Sequence, residues 1–175
     1  AAMFASAVLG QSCPKVEAAQ IIGLASPASM VGDAQGKEFF ISNINGEPDA
    51  RDNNGFITKV DAEGKILNLK FIQGGISDFM LHAPKGLALV GNILYVADLD
   101  QLKGFDKNTG KPLVSVPFPA QAGHPPVSLT DVTVASNDLL YASDQTANTL
   151  YRIDIAAGHR VSLMQIGRAS CRERV

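Results

Sequence analysis

Three oxygen-bearing side chains stand at matching places along this chain. Asn43, Asp98 and Asp144 each end a short apolar run: Phe39-Phe40-Ile41-Ser42-Asn43, Leu94-Tyr95-Val96-Ala97-Asp98 and Leu140-Tyr141-Ala142-Ser143-Asp144. Oxygens in equivalent places suit two kinds of work. Brought to one face, they make a polar ring around a binding mouth. Taken singly, each caps the following turn by accepting backbone N–H groups, and for any one residue this plainer role is favoured.

Other polar residues could join such a mouth. Asp131 is a carboxylate at the start of a strand-like run, and Lys85 holds a comparable place and could attract an anion. Asn45 follows the first run by two residues and is a further candidate for the binding face. A polar insertion, Gly46 to Asn54, contains Asp49, Asp52, Asn53 and Asn54 but lacks the ligand alternation of an EF-hand, so it reads as a flexible loop bordering that face. His82, His124 and His159 fall on separate loops without metal spacing or a nucleophile elbow beside them. Gly74-Gly75 alone is a turn, not a phosphate loop.

The elements that position these residues repeat. From position 43 to 98 is 55 residues, and from 98 to 144 is 46. Each run follows a strand-like segment (Ser29-Met30-Val31, Gly86 to Val90, Val132-Thr133-Val134) and a short turn. A third strand ending in Asp comes next: Phe56 to Asp61, Leu102 to Asp106, Leu150 to Asp154. A Gly-containing turn and a fourth strand complete each unit: Ile66 to Ile72, Pro112 to Phe118, Arg160 to Gln165. β-Branched and aromatic residues bounded by Gly, Asn and Asp mark strands, and no segment sustains a helical apolar period. Four-stranded units of roughly 40–50 residues are the arithmetic of a propeller blade. The expectation is an all-β partial β-propeller of three four-stranded blades. The insertion lengthens the first spacing. A β-sandwich is the runner-up and leaves the recurring Asp positions unexplained.

Composition excludes several classes. Fifteen Lys and Arg against seventeen Asp and Glu give a net charge of −2, with no basic stripe for nucleic acid. No apolar run reaches the ~20 residues of a membrane span. Cys13 and Cys171 lie outside the repeats, and no Cys/His cluster has metal spacing.

The two ends depart from the repeat. Residues 1–19 begin with the apolar run Ala1 to Gly10 and pass through Val16-Glu17-Ala18-Ala19, the pattern of a signal-peptide remnant with a small-residue cleavage site, which implies a periplasmic or secreted protein. An N-terminal helix or outer strand is the plainer alternative. Residues 20–165 hold the repeats. Residues 166–175, Ile166 to Val175, break the pattern and match the translation of a sequencing adapter, the plainer alternative being a basic tail. On the adapter reading the ring continues beyond this chain, and three blades expressed alone aggregate or stay loosely packed.

Four phrases carry a family resemblance: Ser42-Asn43-Ile44-Asn45-Gly46, Asn54 to Val60, Ala83 to Ala88 and Leu94 to Asp98. From Ser26 to Gln165 the chain resembles bacterial members of the gluconolactonase/senescence-marker/luciferin-regenerating-enzyme group, relatives in form of NHL-repeat propellers. The resemblance implies a six-bladed ring with a divalent metal held in its channel by Glu, Asn and Asp near the inner strands. That metal polarises a water or substrate oxygen while a carboxylate handles the proton. The family pattern expects Pro-Glu, Pro-Asn-Gly and Asn-Asp at three inner-strand starts, where this chain has Pro27-Ala28, Pro84-Lys85-Gly86 and Thr130-Asp131. All three ligands are replaced, and Asp131 is the remaining carboxylate. Calcium or another divalent metal then binds only if further blades supply ligands.

Two functions follow. One is an exported propeller that binds a small molecule, its metal site degenerate. The other is a divalent-metal-dependent hydrolase of sugar lactones or similar esters, resting on the resemblance alone. A protein-interaction scaffold is a third option without a specific partner.

Overall fold

The computed structural model describes residues 21–76, 79–120, 123 and 125–164. The segments 1–19 and 166–175, with Cys13, Cys171 and His124, lie outside the described residues.

The described residues form twelve strands and no helix. The first sheet contains β1 (Pro27–Gly32), β2 (Glu38–Asn43), β3 (Phe56–Asp61) and β4 (Ile66–Gln73). The second contains β5 (Pro84–Val90), β6 (Ile93–Asp98), β7 (Gln101–Asp106) and β8 (Pro112–Pro117). The third contains β9 (Leu129–Ser136), β10 (Leu139–Asp144), β11 (Thr149–Asp154) and β12 (Arg160–Leu163). In each sheet the strands lie in sequence order, every neighbour antiparallel. The first strands are neighbours in space, β1 beside β5 and β5 beside β9, so successive sheets stack face to face about these inner strands. These are the three blades that the repeat predicts.

The Asp that ends each third strand explains why the chain reverses there. Asp61 Oδ1 accepts the N–H of Lys65 at 2.7 Å. Asp106 Oδ1 accepts the N–H groups of Asn108 and Thr109 and the Thr109 hydroxyl. Asp154 Oδ1 accepts the N–H of Ala157. Gly64, Gly110 and Gly158 follow at φ of 81°, 72° and 70°, left-handed backbone that glycine adopts without cost.

Two apolar layers hold the blades together. Phe40, Ile57, Ile72 and Leu81 pack between the first and second blades against Leu87, Leu94, Val96 and Phe105. Tyr95, Ala97, Leu102, Val116 and Phe118 pack between the second and third blades against Leu129, Val132, Leu140, Ala142, Tyr151 and Ile153. Side chains alternate faces along a strand, so β6 sends Leu94 and Val96 one way and Tyr95 and Ala97 the other, and all four are buried. The alternation in β10 shows one covered face, with Leu140 and Ala142 buried and Tyr141 and Ser143 only partly so. Each side chain fully withdrawn from water in these layers contributes about 1.5–3 kcal/mol.

Candidate functional site at the loop end of the blades

Asn43, Asp98 and Asp144 lie at one end of the three sheets, and all three are buried. Each ties down the segment leading into the inner strand of its own blade. Asn43 Oδ1 accepts the N–H of Ala25, two residues before β1, while its Nδ2 donates to the Ile41 carbonyl and to Thr58 Oγ1. Asp98 accepts the N–H groups of His82 and Ala83, just before β5. Asp144 accepts the N–H of Ser128, just before β9, and also caps its own turn through Thr146 and Ala147. Burial raises the Asp144 carboxyl most of any single influence. Hydrogen bonds from the Thr146 hydroxyl and the amides of Ala147, Ser128 and Thr146 together outweigh it and hold the group below 3.8. Asp98 also meets the buried Lys103 ammonium at 2.5 Å, and Lys103 donates in turn to the Met80 carbonyl.

The inner strands share an irregularity beside these ties. In β1, Ala28 intervenes between the pairs Pro27–Asn43 and Ser29–Ser42. In β9, Thr130 intervenes between Leu129–Asp144 and Asp131–Ser143. In β5, Lys85 and Gly86 together face Ala97, between Pro84–Asp98 and Leu87–Val96. Each inner strand thus carries a bulge at the same place, a device that redirects a side chain out of the pleat. The residues in the matching places are Ala28, Lys85 and Thr130. Asp131 instead holds a regular pairing position, is exposed, and turns one carboxylate oxygen back to the N–H of Val132 at 2.9 Å.

The three redirected residues have different surroundings. Ala28 is exposed. The Thr130 hydroxyl is buried without a hydrogen-bond partner. Lys85 is buried, its side chain 8% exposed. Its ammonium donates to Ser128 Oγ at 3.1 Å and lies 3.3 Å from Asp49 Oδ1, and Ser128 Oγ donates to the same oxygen at 2.9 Å. The Ser128 hydroxyl, then Lys85, hold the Asp49 carboxyl below 3.8. The Lys85 carbonyl accepts from Ser42 Oγ at 2.6 Å, linking the first two blades.

The insertion between β2 and β3 is pinned to its neighbours. Arg51 pairs with Asp100 at 2.8 Å, and that hydrogen bond pushes the guanidinium further up from its ordinary value. Asn53 donates its N–H to His82 Nδ1 and accepts the Leu81 N–H, so His82 carries its proton on Nε2 when neutral. Asn45, with φ of 56°, donates from Nδ2 to the Asn54 carbonyl and closes the base of the loop.

Between this loop and the third blade lies a cavity of ≈ 300 Å³ lined by Asp49, Arg51, Leu99, Pro126, Val127, Ser128 and Thr146. Leu99 holds a left-handed φ of 53°, unusual for a bulky residue, and its carbonyl accepts the N–H of Leu129 from the next blade. A hollow of ≈ 400 Å³ flanks the second blade around Phe79, Phe105 and Leu113, where Lys103 is already engaged by Asp98. Another of ≈ 410 Å³ lies along the inner strands around Val31, Leu87, Leu89 and Val134.

The calcium-type centre implied by the family resemblance does not fit the donors present. Alanine offers no donor atom, a protonated lysine cannot ligate, and threonine alone is a weak neutral ligand. Among the described residues no group of three or more His, Cys, Asp and Glu is placed to hold a metal.

The blade arrangement has solved counterparts. The chain superposes on one from the crystal structure of a nidogen/laminin complex with a TM-score of 0.57 and 20% identity, over 82% of this chain and 47% of that one. It superposes on Kuenenia stuttgartiensis hydrazine synthase with a TM-score of 0.58 and 16% identity, over 87% of this chain and 38% of that one. The fold is a partial β-propeller. The chain spans less than half the length of either counterpart. No protein-family profile matches it. No curated protein matches its sequence.

Lys85 and Asp49 were separately visible in the sequence, but their meeting was not. Ser128, Arg51 and Thr146 escaped notice because nothing in their local sequence marks them. The clue available was a lysine where the family pattern places a neutral ligand.

Proposed function

We propose that this chain supplies the binding end of an exported, gluconolactonase-like propeller that holds a small polar ligand and does not use the metal chemistry of that family's enzymes. The observation that carries the reading is the bulge residue Lys85, whose ammonium meets Asp49 and Ser128 in the wall of a cavity formed by the first insertion and by the second and third blades. Its apolar side, Leu99 and Val127, suits the carbon face of a small ligand, and Asp49, Arg51, Ser128 and Thr146 offer hydrogen bonds to hydroxyl groups. Asn43, Asp98 and Asp144 support the face as ties of its rim, and Asn45 shapes the loop. Asp131 stands beside it as an exposed carboxylate. Export rests on the sequence of residues 1–19. No helix among the described residues is long and apolar enough to cross a membrane.

Two measurements test this reading. Hydrolysis of D-glucono-δ-lactone, followed with and without calcium, manganese or zinc, is expected to stay at the buffer rate. A rate that rises with metal and collapses on chelation would favour the hydrolase instead. Thermal melts with D-glucose are expected to show stabilisation that Pro126→Trp, which fills the cavity from its wall, removes. Equal shifts in both proteins would place the ligand elsewhere.

A further inference from the structure

Lys85 and Ser128 belong to the bodies of the second and third blades, and Asp49 belongs to the insertion. The ammonium and hydroxyl are withdrawn from water, whereas the Asp49 side chain is 67% exposed. A buried ammonium is costly unless a counter-charge and hydrogen bonds accompany it. Here that counter-charge comes from an exposed loop. The other two blades have only short connections at this place, residues 99–100 and 145–148. The donors are therefore built into the blades, and their acceptor is carried on the exposed insertion.

We propose that Lys85 Nζ and Ser128 Oγ form a receptor for the carboxylate of a small ligand, and that Asp49 occupies it as an internal substitute. The inference rests on reading this end as the binding face and adds the ligand's chemical class. The two donors converge on one oxygen, at 3.3 and 2.9 Å, as they would on a carboxylate arriving from the adjoining cavity. Arg51, beyond Asp49 on the same loop, gives that cavity a second cation, already paired with Asp100. An incoming carboxylate must displace Asp49, which is held at high local concentration by its tether. Binding is thus coupled to release of the Asp49 side chain.

The test is thermal melting of the full chain and its Asp49→Ala variant in sodium acetate against sodium chloride at equal ionic strength. In chloride the variant is expected to melt below the parent, with Lys85 unpaired. In acetate it recovers saturably, half-maximal at a concentration at least about tenfold below that needed by the parent, because the internal competitor is gone. Asp49→Asn serves the same comparison should the alanine variant not fold. Adding Lys85→Met to either variant is expected to erase the preference for acetate. Acetate acting no better than chloride, or equally on parent and variant, overturns the proposal. If that happens while Pro126→Trp still abolishes the response to D-glucose, the binding face stands and the carboxylate receptor alone falls.

Discussion

Asp98 holds two amide N–H groups and the Lys103 ammonium inside the protein. Removing one partner of a buried ion pair strands the other. Asp98→Ala is therefore expected to cost about 3–5 kcal/mol in urea unfolding. Asn43→Ala, which loses neutral hydrogen bonds, should cost about 1–3 kcal/mol. Equal effects would show that the Lys103 charge is solvated after all. Asp144 and His159 both contribute to the acid response, and the lowered carboxyls of Asp33, Asp49 and Asp106 add to the Asp144 stage. Asp144 titrates below 3.8 in the folded chain, so its contribution is complete above 3.8 and disappears as pH falls through the folded value. His159 is lowered from 6.5 by burial and lies 2.9 Å from the Tyr95 hydroxyl, so its contribution is present above 6.5 and is lost at lower pH. Stability followed by denaturant melts should fall in two acid stages. His159→Gln is expected to flatten the upper stage and leave the lower one, and an unchanged upper stage would assign it to another group.

At the scale of the element, close approach of the inner strands matters most. A Cβ on Gly86 would lie 2.4 Å from the Asp131 Cα and 2.6 Å from the Val132 nitrogen, both backbone atoms of β9. Gly86→Ala must push the second and third blades apart, at a cost of about 1–3 kcal/mol or more. Gly91→Ala meets open space at φ of 57° and should cost about 1 kcal/mol from backbone strain alone. Comparable losses in the two variants would mean the strands yield easily. The repeat made these elements legible: Phe56 to Asp61 is recovered residue for residue, and the other strands within a few positions. Turn-forming Asp and Gly have local causes and so leave local marks. The bulges do not, because a bulge depends on which partner each residue faces. That is why the sequence comparison set Asp131 beside Lys85 while the pairing sets Thr130 there. The burial of Lys85 was equally hidden, since it depends on a loop about forty residues away in sequence.

For the whole molecule, stacking leaves the outer face of the third blade uncovered by another blade among the described residues. Tyr141 and Leu150 lie partly open there, Leu150 39% exposed. A sheet face of this kind is adhesive. Sedimentation of the chain expressed alone is expected to show association that grows with concentration and is weakened by Leu150→Glu. A monodisperse monomer at every concentration would overturn that expectation. The architecture itself was readable because three imperfect copies of one four-strand unit agree on strand order and turn chemistry, although no family profile detects them.

The insertion has a consequence for assembly. Chains built from look-alike modules risk pairing the wrong neighbours, since each module's flank resembles the next. The segment between β2 and β3 is found in one module only, and it grips His82 and Leu81, then Asp100, then Lys85 and Ser128. Those groups occur together only when the three modules sit in their native order. The loop thus works as an address label, making a shuffled stack forfeit these anchors at once.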